Sequence, residues 1–184
     1  MTVSLRGHIL VASPKLTDPN FFRTVVLMVQ HDEEGAVGVV LNRRVQNKLA
    51  EVWEALGDGA CPLDMHLQWG GPVGNALLAL HQQQTLSDGI VLPSLFVSSD
   101  KPQLVQLIEQ ATKPLRFYLG YSGWGAGQLE DELRQGGWLI ATAVAEMPFY
   151  EGEDLWEQAI DRIGQQILRP ALGAAPSPDD PRVN

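Results

Sequence analysis

The sequence has little cysteine and no long apolar run, and each shortage excludes a class of protein. Its single cysteine, Cys61, cannot form a disulfide within the chain, which fits a reducing compartment. No window approaches the roughly 20 apolar residues that a transmembrane helix needs. The first apolar run, at residues 9–12, is too short for the core of a signal peptide. We therefore expect a cytoplasmic protein without a membrane partner.

Positive charge is scarce as well. The chain has 13 Lys and Arg residues against 22 Asp and Glu residues, so its formal net charge is −9. Proteins that bind duplex DNA contact several phosphates, roughly 6–10 in a well-studied case, whereas only Arg43, Arg44 and Lys48 cluster here. No predicted helix presents the cluster of side chains that reads base edges. We therefore expect no direct DNA binding.

The length and composition predict one soluble domain. A chain of 184 residues can bury a sizeable core, and 45% hydrophobic with 19% charged residues is ordinary for a globular protein. Residues 173–184 are rich in proline, alanine and aspartate, a composition that favours a flexible tail. We find no internal repeat and no linker, so residues 1–172 are predicted to form a single domain.

Apolar runs rich in β-branched residues predict the strands. These are residues 8–12, 24–31, 36–41, 67–73, 76–81, 89–98, 115–119 and 138–145. The second and third strands are joined by a short polar turn and form one hairpin. The fourth and fifth are predicted to form another, with Gly70, Gly71 and Pro72 as a bulge or bend inside its first strand.

Four helices are predicted from apolar residues that recur every three or four positions. The first begins at the N-cap Asn47 and ends at Gly57. The others follow Asp100, the glycines before residue 128, and the acidic group at residues 151–154. Because hairpins come early and strict alternation of strands and helices is absent, the predicted class is α+β with a largely antiparallel sheet.

Residues 115–133 carry the strongest indication of a site. A strand is followed by four glycines between residues 120 and 127 and then by a helix. Such a bend can bind an anion through backbone N–H groups. The dinucleotide and P-loop patterns are absent, however, and Glu130, Asp131 and Glu132 would repel a phosphate. We favour a tight structural connection.

Ser122 is the candidate nucleophile. The sequence around it begins like the hydrolase elbow Gly-x-Ser-x-Gly, but Trp124 stands at the last position and no histidine follows. We favour a serine that closes a turn. The alternative is an enzyme for a small anionic substrate, with Arg43 as its clamp. Cys61 and His66 lack a second pair at ligand spacing, so no metal or cofactor is expected.

Five motifs, in this order and spacing, together resemble one family. They occupy residues 7–14, 18–22, 38–43, 69–73 and 120–129, and they are similar to the AlgH/YqgE family of bacterial proteins over nearly the whole chain except the tail. The resemblance implies a single α+β domain whose bifurcated, largely antiparallel sheet folds into a pseudo-barrel with flanking helices. Similar proteins are often labelled transcriptional regulators. The resemblance assigns no catalytic residues.

Three of these motifs, at residues 38–43, 69–73 and 120–129, contain predicted bends in the backbone. We expect these bends to converge at strand ends. The predicted function is a non-enzymatic regulatory or binding protein, with a small cleft for a protein partner or a metabolite and with indirect effects on transcription. The predicted lining is Asn42, Arg43, Gly70, Gly71, Pro72, Ser122, Trp124 and Gln128. Replacing Arg43 or Trp124 by alanine is expected to remove the interaction and leave the fold intact.

Overall fold

A computed structural model describes residues 3–57 and 59–171. The strands are β1 (His8–Ala12), β2 (Val25–Asp32), β3 (Gly35–Val40), β4 (Arg44–Lys48), β5 (His66–Trp69), β6 (Val73–His81), β7 (Gly89–Leu92), β8 (Leu95–Ser98), β9 (Leu115–Gly125) and β10 (Trp138–Thr142). The α-helices are α1 (Leu49–Ala55), α2 (Lys101–Gln110), α3 (Gln128–Arg134) and α4 (Leu155–Ala171). The predicted tail at residues 173–184 lies outside the described residues.

All of these strands join one sheet that divides at β9. The main order is β10-β1-β2-β3-β9-β6-β8-β7, and β4 and β5 branch from it. One edge of β9 pairs with β6. The other edge pairs first with β5, in parallel, and then with β3, which is antiparallel. The sheet curls into a half-barrel and is otherwise antiparallel, so the predicted α+β class and bifurcated sheet are confirmed.

The two faces of the sheet carry two hydrophobic cores. Because side chains alternate along a strand, Phe117 of β9 packs in the core that α1 and α2 cover. Tyr118 packs in the other core, between β1–β3 and α4. In β6, Ala79 packs in the core with Phe117, and Leu80 packs in the core with Tyr118. Full burial of each large apolar side chain contributes about 1.5–3 kcal/mol, so β6 and β9 stabilise the domain from both faces.

Three predictions of local structure are wrong. The hairpin predicted from residues 67–73 and 76–81 does not form, because β5 pairs with β4 and β9 and residues 70–72 connect it to β6. The bend predicted from Gly120 does not begin there, because β9 continues as a strand to Gly125. Asn47 is not a helix N-cap, since it lies in β4 and α1 begins only at Leu49.

Gly70 lies against β9 at a distance that no side chain permits. Its N–H donates to the carbonyl of Leu119 at 2.9 Å, and its own carbonyl accepts the N–H of Val40 at 2.9 Å. A Cβ atom at this position would lie 2.1 Å from the carbonyl oxygen of Gly120. This glycine therefore lets the connection after β5 fit between β3 and β9, where the sheet divides.

Within residues 3–57 and 59–171, no helix has both the length and the apolar composition needed to cross a membrane.

Gly71→Ala is expected to destabilise the fold far more than Gly57→Ala. Both glycines have positive φ, +151° and +79°, and such conformations cost an L-residue of order 1–3 kcal/mol. A Cβ atom at Gly71 would also lie 2.2 Å from the carbonyl carbon of Tyr121, whereas one at Gly57 meets nothing within 4 Å. In urea unfolding, we expect Gly71→Ala to lose at least twice as much unfolding free energy as Gly57→Ala. Equal losses would contradict the close approach.

Candidate functional site

Residues of the three segments predicted as bends lie close together where the sheet divides, although the third of these segments is part of β9. The Ser122 hydroxyl donates to the carbonyl of Gly70 at 3.1 Å, and the N–H of Trp69 donates to the carbonyl of Arg43 at 2.8 Å. Gly70, Gly71 and Ser122 are buried. The structure therefore brings these three segments together, and their backbones pack directly on one another.

Arg43 holds the loop that precedes β2. Its Nη1 donates to the carbonyls of Pro19 and Asn20 at 3.2 and 2.7 Å, and its Nη2 donates to that of Phe22 at 2.9 Å. The guanidinium also lies 5.4 Å from the centroid of the Trp69 ring, within the range of a cation–π contact. Burial lowers the pKa of Arg43. The guanidinium is therefore engaged with backbone oxygens of its own chain.

The neighbouring Asn42 also fixes this part of the chain through hydrogen bonds to its backbone. Its side-chain oxygen accepts the N–H of Val25 at 2.9 Å, and its amide donates to the carbonyl of Arg23 at 2.9 Å. Asn42 also lines a separate cavity of about 310 Å³. Pro72 is exposed.

A groove of about 720 Å³ lies between residues 15–21 and α3. Its aromatic floor is formed by Phe21 and Trp138, which cluster with the buried Trp124. Phe21 stacks on Trp124 with centroids 6.1 Å apart and meets Trp138 edge-on at 5.4 Å. The two tryptophans are themselves edge-to-face at 6.0 Å. The groove is lined by Lys15, Leu16, Thr17, Asp18, Pro19, Phe21, Gln128, Glu132, Gln135, Gly136, Gly137 and Trp138.

One carboxylate, that of Glu132, fixes this floor. Its Oε2 accepts the indole N–H groups of Trp124 and Trp138 at 2.9 and 2.8 Å. Its Oε1 accepts the side-chain amide of Gln128 at 3.0 Å, and the Gln128 oxygen accepts the N–H of Gly125 at 3.1 Å. Because each ring and amide has a fixed partner, the groove is formed before any ligand arrives.

The placement of α3 follows from its sequence. Gly127 stands before its first residue with φ +73°, and Leu129 is buried in the main core. His31 of β2 lies with its Nε2 2.9 Å from Oε1 of Glu130, which ties the helix to the sheet. A hydrogen bond from its own backbone N–H, together with the contact with His31, lowers the pKa of the Glu130 carboxyl. Gly136, with φ +75°, ends the segment.

The geometry offers Ser122 no catalytic task. Its side chain has no exposed surface and its hydroxyl is engaged with a backbone carbonyl. The groove lining contains no histidine, cysteine or serine. Among the described residues, no group of three or more His, Cys, Asp or Glu side chains is placed to hold a metal ion.

The sequence prediction missed most of the groove. Of the eight predicted residues, Gln128 lines it, Trp124 stacks against the lining residue Phe21, and Arg43 donates to the carbonyl of the lining residue Pro19. Glu132 and Trp138 were not predicted as site residues. The i, i+4 spacing of Gln128 and Glu132, which places both on one helix face, was the available signal.

Comparisons of sequence identify similar proteins over almost the entire chain. Residues 9–168 match the family model described as AlgH-like (DUF179). The chain is 38% identical to UPF0301 protein CT0663 of Chlorobaculum tepidum, covering 97% of this chain and 95% of the relative. It is 37% identical to a UPF0301 protein of Streptomyces avermitilis, covering 98% and 96%.

Two solved structures share the fold. The solution structure of the AlgH protein from Pseudomonas aeruginosa superposes with a TM-score of 0.76 at 32% identity, covering 91% of this chain and 95% of that one. The crystal structure of DIP2367 from Corynebacterium diphtheriae gives a TM-score of 0.69, with 88% of each chain covered. At 22% identity, the second likeness supports the fold alone.

Arg43→Ala is expected to lower the free energy of unfolding by about 1–2 kcal/mol, because three hydrogen bonds from a charged group are lost, whereas water can reach the exposed carbonyls that it leaves. The tryptophan fluorescence emission of this variant should also change, because Phe21 lies in the released loop and packs against Trp124 and Trp138. Arg134→Ala is the matched control, because this exposed arginine pairs only locally with Asp131. If both variants unfold alike in urea, Arg43 is not the clamp described above.

Proposed function

The chain belongs to the AlgH-like family, and we propose that it acts as a non-enzymatic binding protein whose groove between residues 15–21 and α3 holds a small metabolite. The observation that carries this proposal is the aromatic floor, fixed in advance by the Glu132 carboxylate. Ligand sites commonly have volumes of about 300–1,000 Å³ and combine an apolar surface with a few placed polar groups. The groove has such a volume, and polar or charged side chains make up half of its lining beside the apolar floor.

The rim indicates the kind of ligand. It offers one cation, Lys15, one exposed carboxylate, Asp18, and the amides of Gln128 and Gln135. Apolar surface below and mixed polar groups above suit a molecule with an apolar or aromatic body and a neutral or zwitterionic edge. A strongly anionic ligand would meet the carboxylate of Asp18.

Binding is better supported than catalysis. An enzyme for a small anionic substrate would need a nucleophile with a general base in hydrogen-bond reach. Ser122 is buried and faces a carbonyl, and Arg43 is engaged with the loop at residues 19–22. The enzymatic alternative therefore gains no support from these residues.

Any effect on transcription is proposed to be indirect. Phe22 follows the lining residue Phe21 and is 49% exposed, so a bound metabolite can alter a surface that a protein partner contacts. With a net charge of −9, direct and specific DNA binding is not part of this proposal. A sequence-specific complex of nanomolar affinity at about 0.15 M salt would contradict it. The cytoplasmic location stays a prediction.

A matched pair of variants tests the groove. Gln135 is exposed and lines it, whereas the neighbouring Arg134 does not. Gln135→Trp is expected to fill the groove from its rim, and Arg134→Trp adds the same bulk outside it. Thermal shift with a panel of amino acids, nucleosides and organic acids should identify compounds that raise the Tm of the wild type and Arg134→Trp but not of Gln135→Trp.

Native mass spectrometry of the freshly purified proteins should show the same difference for any retained molecule. Stabilisation that is equal in both variants would place binding elsewhere. A panel that stabilises none of the three proteins, with no retained molecule, would contradict a metabolite-binding role.

A further inference from the structure

A second opening lies where β4 and β5 branch away from β3. Two adjoining cavities of about 610 and 310 Å³ share four lining residues, which are Arg44, Gln68, Arg116 and Glu151. The aromatic groove uses none of these residues. The opening is therefore a separate feature of the molecule.

The register of the strands places its polar side chains in one row. Arg44 of β4 is the partner of Gln68 of β5, and Gln68 is the partner of Tyr118 of β9. Register partners lie on the same face of a sheet, and so do residues two apart on one strand. Arg44, Gln68 and Arg116 consequently share the face that lines the opening.

Arg116 is an unusual residue for a central strand, because it is a cation with only 9% of its surface exposed. Its Nη1 donates to the carbonyl of Tyr150 at 2.9 Å, and its Nη2 pairs with Oε1 of Glu151. A buried cation is costly unless it is paired and hydrogen-bonded. The site therefore requires a carboxylate next to Arg116.

Glu151 supplies that carboxylate from a short loop. Its Oε1 contacts Arg116 and its Oε2 lies 2.8 Å from Nη2 of Arg44. Its side chain is 71% exposed, and that of Arg44 is 55% exposed. The exposed Arg44–Glu151 pair contributes little to stability. The buried Arg116 must stay paired, so Glu151 can leave at small cost only when another carboxylate takes its place beside Arg116.

We propose that this opening binds a small organic dicarboxylate, one of whose carboxylates replaces that of Glu151 between Arg44 and Arg116. The position of Glu151 shows that a planar carboxylate reaches both guanidinium groups, and the arginine fork suits that geometry. Lys113 and His66 line the larger cavity and are available to the second carboxylate. The displaced loop residue then moves into solvent.

The charges of the lining favour carboxylates over phosphate. Asp64 and Glu153 also line the two cavities, and Asp64 is neutralised by Lys48 at 2.7 Å. A compact phosphate would concentrate its charge near Glu153, whereas a dicarboxylate spreads two single charges between separate cations. The two cavities carry Arg44, Lys113 and Arg116 against Asp64, Glu151 and Glu153, so the lining gains a net positive charge only when Glu151 moves away.

The test measures succinate binding by titration calorimetry at about 0.15 M ionic strength. Glu151→Gln removes the internal competitor, and we expect about tenfold tighter binding if Glu151 occupies the site about nine-tenths of the time. The Tm of Glu151→Gln should fall without ligand, because Arg116 loses its partner, and should recover with succinate. Arg44→Ala should weaken binding at least tenfold.

The controls separate this site from the aromatic groove. Arg134→Ala removes an arginine that also pairs with a carboxylate, and Gln135→Trp fills the groove. Both should bind succinate as the wild type does. Absence of saturable binding to Glu151→Gln, or equal binding of succinate, acetate and inorganic phosphate, would overturn the proposal. Loss of binding in Gln135→Trp would instead assign succinate to the groove and also overturn it.

Discussion

The structure depends on the close backbone contact between the Gly70–Gly71 connection and β9. Because neither residue has a side chain, the connection can hydrogen-bond to β9 and to β3 at once. One edge of β9 then serves two partners in succession, β5 and β3, and the sheet divides between them. The opening between Arg44 and Arg116 is lined by residues of β4, β5 and β9 beside this division.

The elements with local signals could be predicted from the sequence. The β2–β3 hairpin follows from two apolar runs and a polar turn, and α2 follows from its Pro102 and its apolar face. The partners of β5 could not be predicted, because parallel pairing with β9 leaves no trace in the intervening chain. The glycines after residue 119 were mistaken for a bend, since glycine usually weakens strands. Among them, Gly120 removes bulk where the backbone of Gly71 crosses β9.

The candidate sites were predictable only in part, because their residues combine through tertiary contacts. Arg43 was expected to face a ligand, yet backbone carbonyls within hydrogen-bond reach engage its guanidinium. Arg116 lies on the strand face opposite to the alternating Leu115, Phe117 and Leu119, and this pattern does not predict that the face is buried as well. Glu132 contributes through two tryptophans, one six residues after it and one eight before it. Such convergence depends on how α3 docks, which the sequence pattern does not specify.

Amide hydrogen exchange of Val40 and Gly70 tests most directly whether the junction is the stable centre of the domain. Their N–H groups donate to the carbonyls of Gly70 and Leu119. The account predicts that both exchange only through global unfolding, with a protection free energy and a urea dependence equal to those of the whole domain. Amides of the edge strand β10 provide the comparison and should exchange sooner. Exchange of Gly70 through local opening, well below the global unfolding free energy, would contradict the central role of this contact.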